Sequence, residues 1–318
     1  MNTALNLICL VVITYASFKK LHVQKGFAPM SDGTKLFYSI SGKGNDTLVF
    51  LHGGPGQNSK GVGPDLAPLA KKHVLIIYDQ RGCGLSEAGD TSKLSANAHV
   101  NDLEDLRKFF RISQMTLIGH SWGCMLATLY NSKYAGHVRR LLLLSPGPPT
   151  RKLFQQRFAA FAKKDSTGQA RVARLRSQLE TSNDPLSICR EILEINERLY
   201  YADPKKMARK KGDYCAIPPE AISKQGVTAR LTLKSLGDWN LVPLIETITQ
   251  PALVVEGLQT PVPMEEFEIW AKALPNGKLL LVKNVGHAYP FVEQPNLFFP
   301  AVEEFLKGGW PPNSKIIK

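Results

Sequence analysis

The sequence predicts an α/β fold with a mostly parallel central sheet flanked by helices. First, short apolar runs typical of buried strands recur along the chain, and a helical pattern at Ser95 to Phe110 lies between two of them. Second, this alternation implies a parallel sheet with right-handed crossovers. Third, glycine-rich loops follow several strands, at the sheet edge where such folds bind ligands. The first half contains strands at 46–51, 73–78, 115–118 and 140–144.

The remaining strand patterns lie at both ends of the chain. Two of them are joined by a Ser31-Asp32-Gly33 turn, which is typical of a hairpin. Two others follow residue 250, and a helical pattern closes the sequence. These elements are predicted at 21–27, 35–41, 251–256, 278–282 and 296–307.

Between the two sets of strands the pattern is helical. The change begins at Ser145-Pro146-Gly147-Pro148-Pro149. We therefore expect a helical cap at 148–236, inserted into a core formed by 21–147 and 237–318. The stripe Phe154, Phe158 and Phe161 is interpreted as packing, not as a cofactor site.

A serine between two glycines follows the strand at 115–118 and precedes a helix-forming run. The motif is Gly119-His120-Ser121-Trp122-Gly123. A strained turn of this kind raises the serine hydroxyl above the sheet, and the following helix directs its N-terminal N–H groups toward a developing oxyanion. Ser121 is the candidate nucleophile.

A second loop supplies backbone donors. His52-Gly53-Gly54-Pro55-Gly56 directly follows the strand at 46–51, and its glycines allow close approach of a ligand to the backbone. His287 lies on a glycine-preceded loop after a strand at the same sheet edge, so it is the candidate base for Ser121. His52 and His120 are expected to support their loops.

The composition limits the class of partner. The net charge is +13, and residues 151–176 hold eight Lys or Arg against one Asp. No groove-reading or aromatic-interleaved motif accompanies this charge, so a solvated helix surface is favoured and no nucleic-acid partner is predicted. No Cys/His cluster has the spacing of metal ligands, so neither a metal nor a cofactor is predicted.

The N-terminal segment is expected to direct export or membrane association. Residues 5–13 form the short apolar core of a signal-like or anchoring segment at 1–20. Lys19 and Lys20 follow this core, and a cytoplasmic protein with an apolar first segment is the alternative. The cysteines could form bridges in an oxidising compartment but do not decide the location.

Four motifs follow one another along the chain: HGGPG at 52–56, DQRGCGLS at 79–86, GHSWG at 119–123 and GHAYPFVEQP at 286–295. Together they resemble the α/β-hydrolase superfamily and, within it, the proline iminopeptidase family of serine aminopeptidases. The resemblance implies an α/β-hydrolase fold, Ser121 as nucleophile and His287 as base. It also implies an oxyanion hole formed by the N–H groups of Gly54 and Trp122, and no cofactor.

The acid of the triad departs from the family pattern. The loop after residue 255 reads Glu256-Gly257-Leu258-Gln259-Thr260-Pro261, whereas the family carries an aspartate about three residues beyond the glycine. Three outcomes are open: Glu256, Glu265 or Glu266 substitutes for it, Ser121 and His287 act as a slower dyad, or hydrolysis is lost.

The resemblance implies a small peptide substrate with an N-terminal proline or another small residue, bound through its free amine by cap carboxylates. Gly53, Glu194 and Glu197 are the candidate substrate-binding residues, although a solvated helix face with Glu194 paired to Arg198 is the alternative for the glutamates. A small-molecule carboxylesterase or amidase is the second function, and a binding protein on a hydrolase scaffold is the third. The sequence leaves the oligomeric state open.

Overall fold

The computed structural model describes residues 23–179 and 181–317, and its centre is one eight-stranded sheet. The predicted segment at 1–20 and the first two residues of the predicted strand 21–27 lie outside the described residues. The strands are β1 Val23–Pro29, β2 Lys35–Ser41, β3 Thr47–Leu51, β4 Val74–Tyr78, β5 Met115–His120, β6 Val138–Leu144, β7 Ala252–Gly257 and β8 Gly277–Val282.

The spatial order of the strands is β1-β2-β4-β3-β5-β6-β7-β8. β1 pairs with β2 and β2 with β4 in antiparallel register, and every later pair is parallel. The predicted α/β fold with a mostly parallel sheet is therefore confirmed.

Helices cover both faces of the sheet. The helices of the described residues are α1 Ala96–Phe109, α2 Trp122–Tyr134, α3 Arg151–Lys164, α4 Ser166–Gln178, α5 Pro185–Tyr200, α6 Pro219–Ser235, α7 Val242–Ile245, α8 Glu265–Ala273, α9 Pro290–Glu293 and α10 Pro295–Leu306, with a longer 3-10 segment at Gly63–Lys71. Ser95 starts α1 as an extended N-cap whose hydroxyl accepts the N–H of Ala98 at 3.1 Å, so the helix begins one residue later than its apolar pattern.

The alternation of side chains along the central strands divides the core in two. In β6, Leu141 and Leu143 pack with α1, α2 and α8, whereas Leu142 and Leu144 face α10 and the 3-10 segment. Both faces of these strands are buried, which explains their continuous apolar runs. The functional loops follow the strands at their carboxyl ends.

Between β6 and β7 the chain forms α3 to α6, in the range where the sequence analysis places a cap. These helices have a small core of their own, in which Cys189 on α5 forms a disulfide with Cys215. Cys83 and Cys124 are buried free thiols. The division of the chain into a core and a separate cap stays a prediction. None of the helices in the described residues has the length and apolar character needed to cross a membrane.

Candidate active site

Ser121 lies at the turn between β5 and α2, in a backbone conformation that serine rarely adopts. Its φ is 53° and its ψ is −115°. The flanking glycines are required by space: a Cβ on Gly119 would lie 2.7 Å from Cys124 Cα, and a Cβ on Gly123 would lie 2.0 Å from the Leu51 carbonyl oxygen. The hydroxyl is therefore held above the carboxyl edge of the sheet by a turn that excludes side chains on both sides.

Two backbone N–H groups are candidates for an oxyanion hole, on residues that line the same cavity as Ser121. They belong to Trp122, the first residue of α2, and to Gly54 in the loop after β3. Neither donates a hydrogen bond to another described residue. Gly54 has φ +118°, and a Cβ there would lie 2.7 Å from Gln57 N, so the loop needs glycine at this point. Free donors on residues that line the same cavity as a serine are what an oxyanion hole requires.

A buried hydrogen-bond network fixes the Gly54 loop to α2. The N–H of Gln80 donates to His52 Nε2 at 3.0 Å, so His52 carries its proton on Nδ1 and donates it to the Gly53 carbonyl at 2.9 Å. Burial lowers the pKa of His52, which keeps the ring neutral. The side-chain Oε1 of Gln80 in turn accepts the indole N–H of Trp122 at 2.9 Å. These contacts agree with the supporting position expected for His52, whereas no sequence pattern assigned a role to Gln80.

His287 lies on the loop after β8 and is 4 % exposed. Its Nδ1 lies 3.2 Å from Glu256 Oε2 and 3.3 Å from Oε1. Glu256 is fully buried at the end of β7. With its Nδ1 proton donated to this carboxylate, the ring has Nε2 available to accept another proton. Within the described residues the Ser121 hydroxyl makes no hydrogen bond, and Ser121 and His287 line the same cavity.

The three candidate acids occupy different environments. Only Glu256 makes a hydrogen bond to His287. Glu266 forms a buried ion pair with Arg157 of α3, at 2.5 Å from Nη2, and burial raises the pKa of Glu266. Glu265 is exposed. The structure therefore brings one of the three to the histidine, and it does so because Glu256 is the last side chain of β7 to face that loop.

Aromatic rings and a serine hold the His287 loop. The ring of Tyr200 lies 5.4 Å from that of His287 in an edge arrangement, and Phe267 lies 6.0 Å away. Ser145, at the end of β6, accepts the N–H of Ala288 at 3.0 Å. In the sequence Ser145 only marks the start of the helical pattern, whereas in the structure its hydroxyl anchors the loop that carries His287.

His120 is buried on the other side of the turn. Its Nε2 lies 3.2 Å from the Ala288 carbonyl oxygen, and its ring stacks on Tyr289 at 6.2 Å. Burial lowers the pKa of His120 to about 3, so the ring is neutral at physiological pH. This environment agrees with the supporting position expected for His120.

The cavity above Ser121 has a volume of about 510 Å³ and reaches under α3 to α6. Its lining includes the aromatic stripe Phe154, Phe158 and Phe161. Phe161 also belongs to the hydrophobic core and Phe154 packs against that core, in agreement with the predicted packing. The apolar lining side chains are Trp122, Met125, Phe154, Phe158, Phe161, Leu179, Ile192, Leu193, Leu199, Tyr200 and Leu233.

The candidate substrate-binding residues separate in the structure. Glu197 lines the cavity, whereas Glu194 is exposed outside it and forms no ion pair with Arg198 among the described contacts. Residues three apart differ by only about 60° around a helix, so Glu194 lies on the adjacent, exposed side of α5. Gly53 lies behind the loop, where a Cβ would be 3.0 Å from His120 Nδ1. Gly53 thus supports the Gly54 loop without lining the cavity.

The inserted helices also contact three loops near the site, at 52–56, at 82–84 and around His287. A Cβ on Gly56 would lie 2.4 Å from the Gln225 carbonyl oxygen of α6. The Thr228 hydroxyl donates to the Gly82 carbonyl at 2.9 Å, and a Cβ on Gly286 would lie 2.1 Å from the Tyr200 carbonyl oxygen. α5 and α6 therefore rest directly on the backbone of loops that form the site.

Comparison with known proteins agrees with this geometry. The family model described as "alpha/beta hydrolase fold" matches residues 46–294. A proline iminopeptidase of Heyndrickxia coagulans is 23% identical over 89% of this chain and 98% of that protein. Among solved structures, proline iminopeptidase of Mycobacterium smegmatis has a TM-score of 0.65 at 18% identity, covering 89% of this chain and 98% of that one. The esterase EaEST of Exiguobacterium antarcticum has a TM-score of 0.67 at 20% identity, covering 89% and 100%.

The family match covers well over half of the chain, and the structural likenesses have the same fold. The resemblance inferred from the four motifs is thereby confirmed at the level of the superfamily. The chain belongs to the α/β-hydrolase fold family, as a serine hydrolase.

Proposed function

We propose that the protein cleaves ester or amide bonds through an acyl-enzyme on Ser121, with His287 as base and Glu256 as the acid of the triad. The observation that carries this proposal is the contact of His287 Nδ1 with buried Glu256 at 3.2 Å, on the same cavity wall as the strained Ser121 turn. Glu256 is the last residue of β7 with a side chain. It would perform the task of the aspartate that the following loop lacks.

In the proposed reaction Ser121 Oγ attacks the substrate carbonyl carbon while His287 Nε2 takes the hydroxyl proton. The N–H groups of Gly54 and Trp122 stabilise the oxyanion, and His287 returns the proton to the leaving group as the acyl-enzyme forms. Water then attacks the acyl-enzyme with His287 again as base. Glu256 stabilises the imidazolium in both steps.

Two substrate classes fit this chemistry. Peptides from which an N-terminal residue, preferably proline, is released are supported by the names of the relatives at 23% to 26% identity. Neutral carboxylic esters or amides are supported by the apolar cavity and by an esterase among the structural likenesses. In both classes the substrate is a small molecule or a short peptide, because the cavity has a volume of about 510 Å³.

The test is labelling with a fluorophosphonate probe, applied to the wild type and to Ser121→Ala. Rapid labelling of Ser121, identified by mass spectrometry and lost in the variant, is expected. Proline arylamide and short-chain esters then separate the two classes by their kcat/KM values. A folded wild type that neither reacts with the probe nor hydrolyses any of these substrates would refute the proposed activity and favour a binding role.

We also propose that the chain folds in an oxidising compartment. The support is the Cys189–Cys215 disulfide, a bond that is rare in reducing compartments. Mass spectrometry of peptides from protein purified from its native source, with free thiols blocked beforehand, tests this. Recovery of both cysteines as blocked thiols would refute it.

A further inference from the structure

The charges around the cavity discriminate between the two substrate classes. Among the described residues, Glu197 is the only carboxylate in the cavity lining. A cationic amine in a largely apolar cavity needs a carboxylate as its counter-charge. The environment of Glu197 therefore determines whether the cavity can accept an acyl group with a free amine.

Glu197 is already neutralised by a cation of the chain itself. Lys210 forms an ion pair with Glu197 Oε1, and the two side chains are only 6 % and 10 % exposed. The same oxygen accepts the Tyr289 hydroxyl at 2.9 Å. Lys210 Nζ also lies 4.6 Å from the ring centroid of Tyr214 and 5.1 Å from that of Tyr289. The ammonium is thus held by a carboxylate and two aromatic faces.

The other charged groups of the lining are positive. Arg157 is paired with Glu266, while Arg176 and Arg230 lie exposed at the rim of the cavity. With Glu197 balanced by Lys210, the lining offers an incoming ammonium no net negative charge. A second ammonium near Glu197 would also be repelled by Lys210, at short range and away from bulk solvent.

We propose that Lys210 is a specificity-determining residue: by neutralising Glu197 it excludes acyl groups that carry a free amine and restricts the site to uncharged acyl groups. This inference rests on the proposed serine hydrolase activity. It selects esters or amides of neutral acids as the substrate class, and it predicts that removal of Lys210 makes Glu197 available to an amine.

The test uses two substrates of matched shape, the p-nitrophenyl esters of cyclopentanecarboxylic acid and of proline. They differ in one ring position, which is a methylene in the first and a protonated nitrogen in the second at neutral pH. Each kcat/KM is divided by the rate of uncatalysed hydrolysis of the same ester. The wild type is expected to prefer the cyclopentane ester by about tenfold or more.

Lys210→Met is expected to shift the ratio of the two normalised kcat/KM values toward the proline ester by about tenfold or more. This is the factor that one charge-assisted hydrogen bond between the amine and Glu197 supplies. Lys210→Arg preserves the pairing and should leave the ratio at the wild-type value. Lys211→Met removes an exposed neighbouring lysine and is the matched control. The double variant Glu197→Gln, Lys210→Met has no buried unpaired charge and should also retain the wild-type ratio.

A wild type that prefers the proline ester overturns the inference, as does an unchanged ratio in Lys210→Met. If Lys210→Met does not fold, the double variant decides: a selective loss of proline-ester hydrolysis there would mean that Glu197 binds the amine. These outcomes require hydrolysis that depends on Ser121. Absence of Ser121-dependent turnover of either ester would instead refute the proposed activity, and this inference with it.

Discussion

Replacing Glu256 by Gln removes one charge from a buried pair and leaves its shape nearly unchanged. The carboxylate is fully buried, and its Oε2 lies 3.2 Å from His287 Nδ1. With an effective dielectric constant of about 20, a unit charge on the imidazolium at this distance is stabilised by about 5 kcal/mol. At about 1.4 kcal/mol per tenfold in rate, kcat should fall by about three to four orders of magnitude.

The measurement is kcat on the better of the two p-nitrophenyl esters, with folding checked by circular dichroism. Glu265→Gln is the matched control, because this neighbouring candidate is exposed and should leave kcat within about twofold of the wild type. A Glu256→Gln enzyme that retains kcat within about tenfold would refute the assignment. Ser121 and His287 would then act as a dyad.

Three further outcomes are expected. Gly123→Ala should prevent accumulation of folded protein, because the new Cβ would meet a β3 carbonyl oxygen at 2.0 Å; soluble yield and thermal melting measure this. Arg157→Met should lower the free energy of unfolding in urea by about 3 to 5 kcal/mol, because Glu266 stays buried without its partner. Adding Glu266→Gln should restore part of this free energy. Burial lowers the pKa of His99 and of His120 to about 3, so the unfolded chain takes up protons first as the pH falls below 6.5. The free energy of unfolding should therefore fall between pH 6.5 and 3, and at pH 5 the two histidines together should lower it by about 4 kcal/mol. Equal free energies of unfolding at pH 7 and pH 5, measured in urea at constant ionic strength, would contradict this.

The sheet could be predicted because its strands are buried on both faces. Runs such as Arg140 to Leu144 carry apolar side chains toward two helical layers at once. The Ser121 turn could be predicted because its constraints are local: each flanking glycine prevents a contact within the turn or with the adjacent strand. The predictions held where the cause lies within a few residues.

The features that the sequence did not predict depend on side-chain contacts between residues far apart in the chain. Whether Glu256, Glu265 or Glu266 reaches His287 is decided by which face of β7 or α8 each occupies, and the chain order leaves all three open. Lys210 lies 13 residues from Glu197, with no pattern to connect them. The Cys189–Cys215 pairing likewise depends on the path of the chain between α5 and α6.

The direct contact of α5 and α6 with the site loops limits how this scaffold can be altered. Glycine backbone at 56 and 286 touches main-chain carbonyls of the inserted helices, so no side chain is available there to absorb a change in their position. Exchanging residues 148–236 for the insertion of another hydrolase would displace the Gly54 donor and the His287 loop unless the new helices place their carbonyls at the same points. In directed evolution the insertion at 148–236 and the loops that contain Gly56 and Gly286 should therefore be exchanged together.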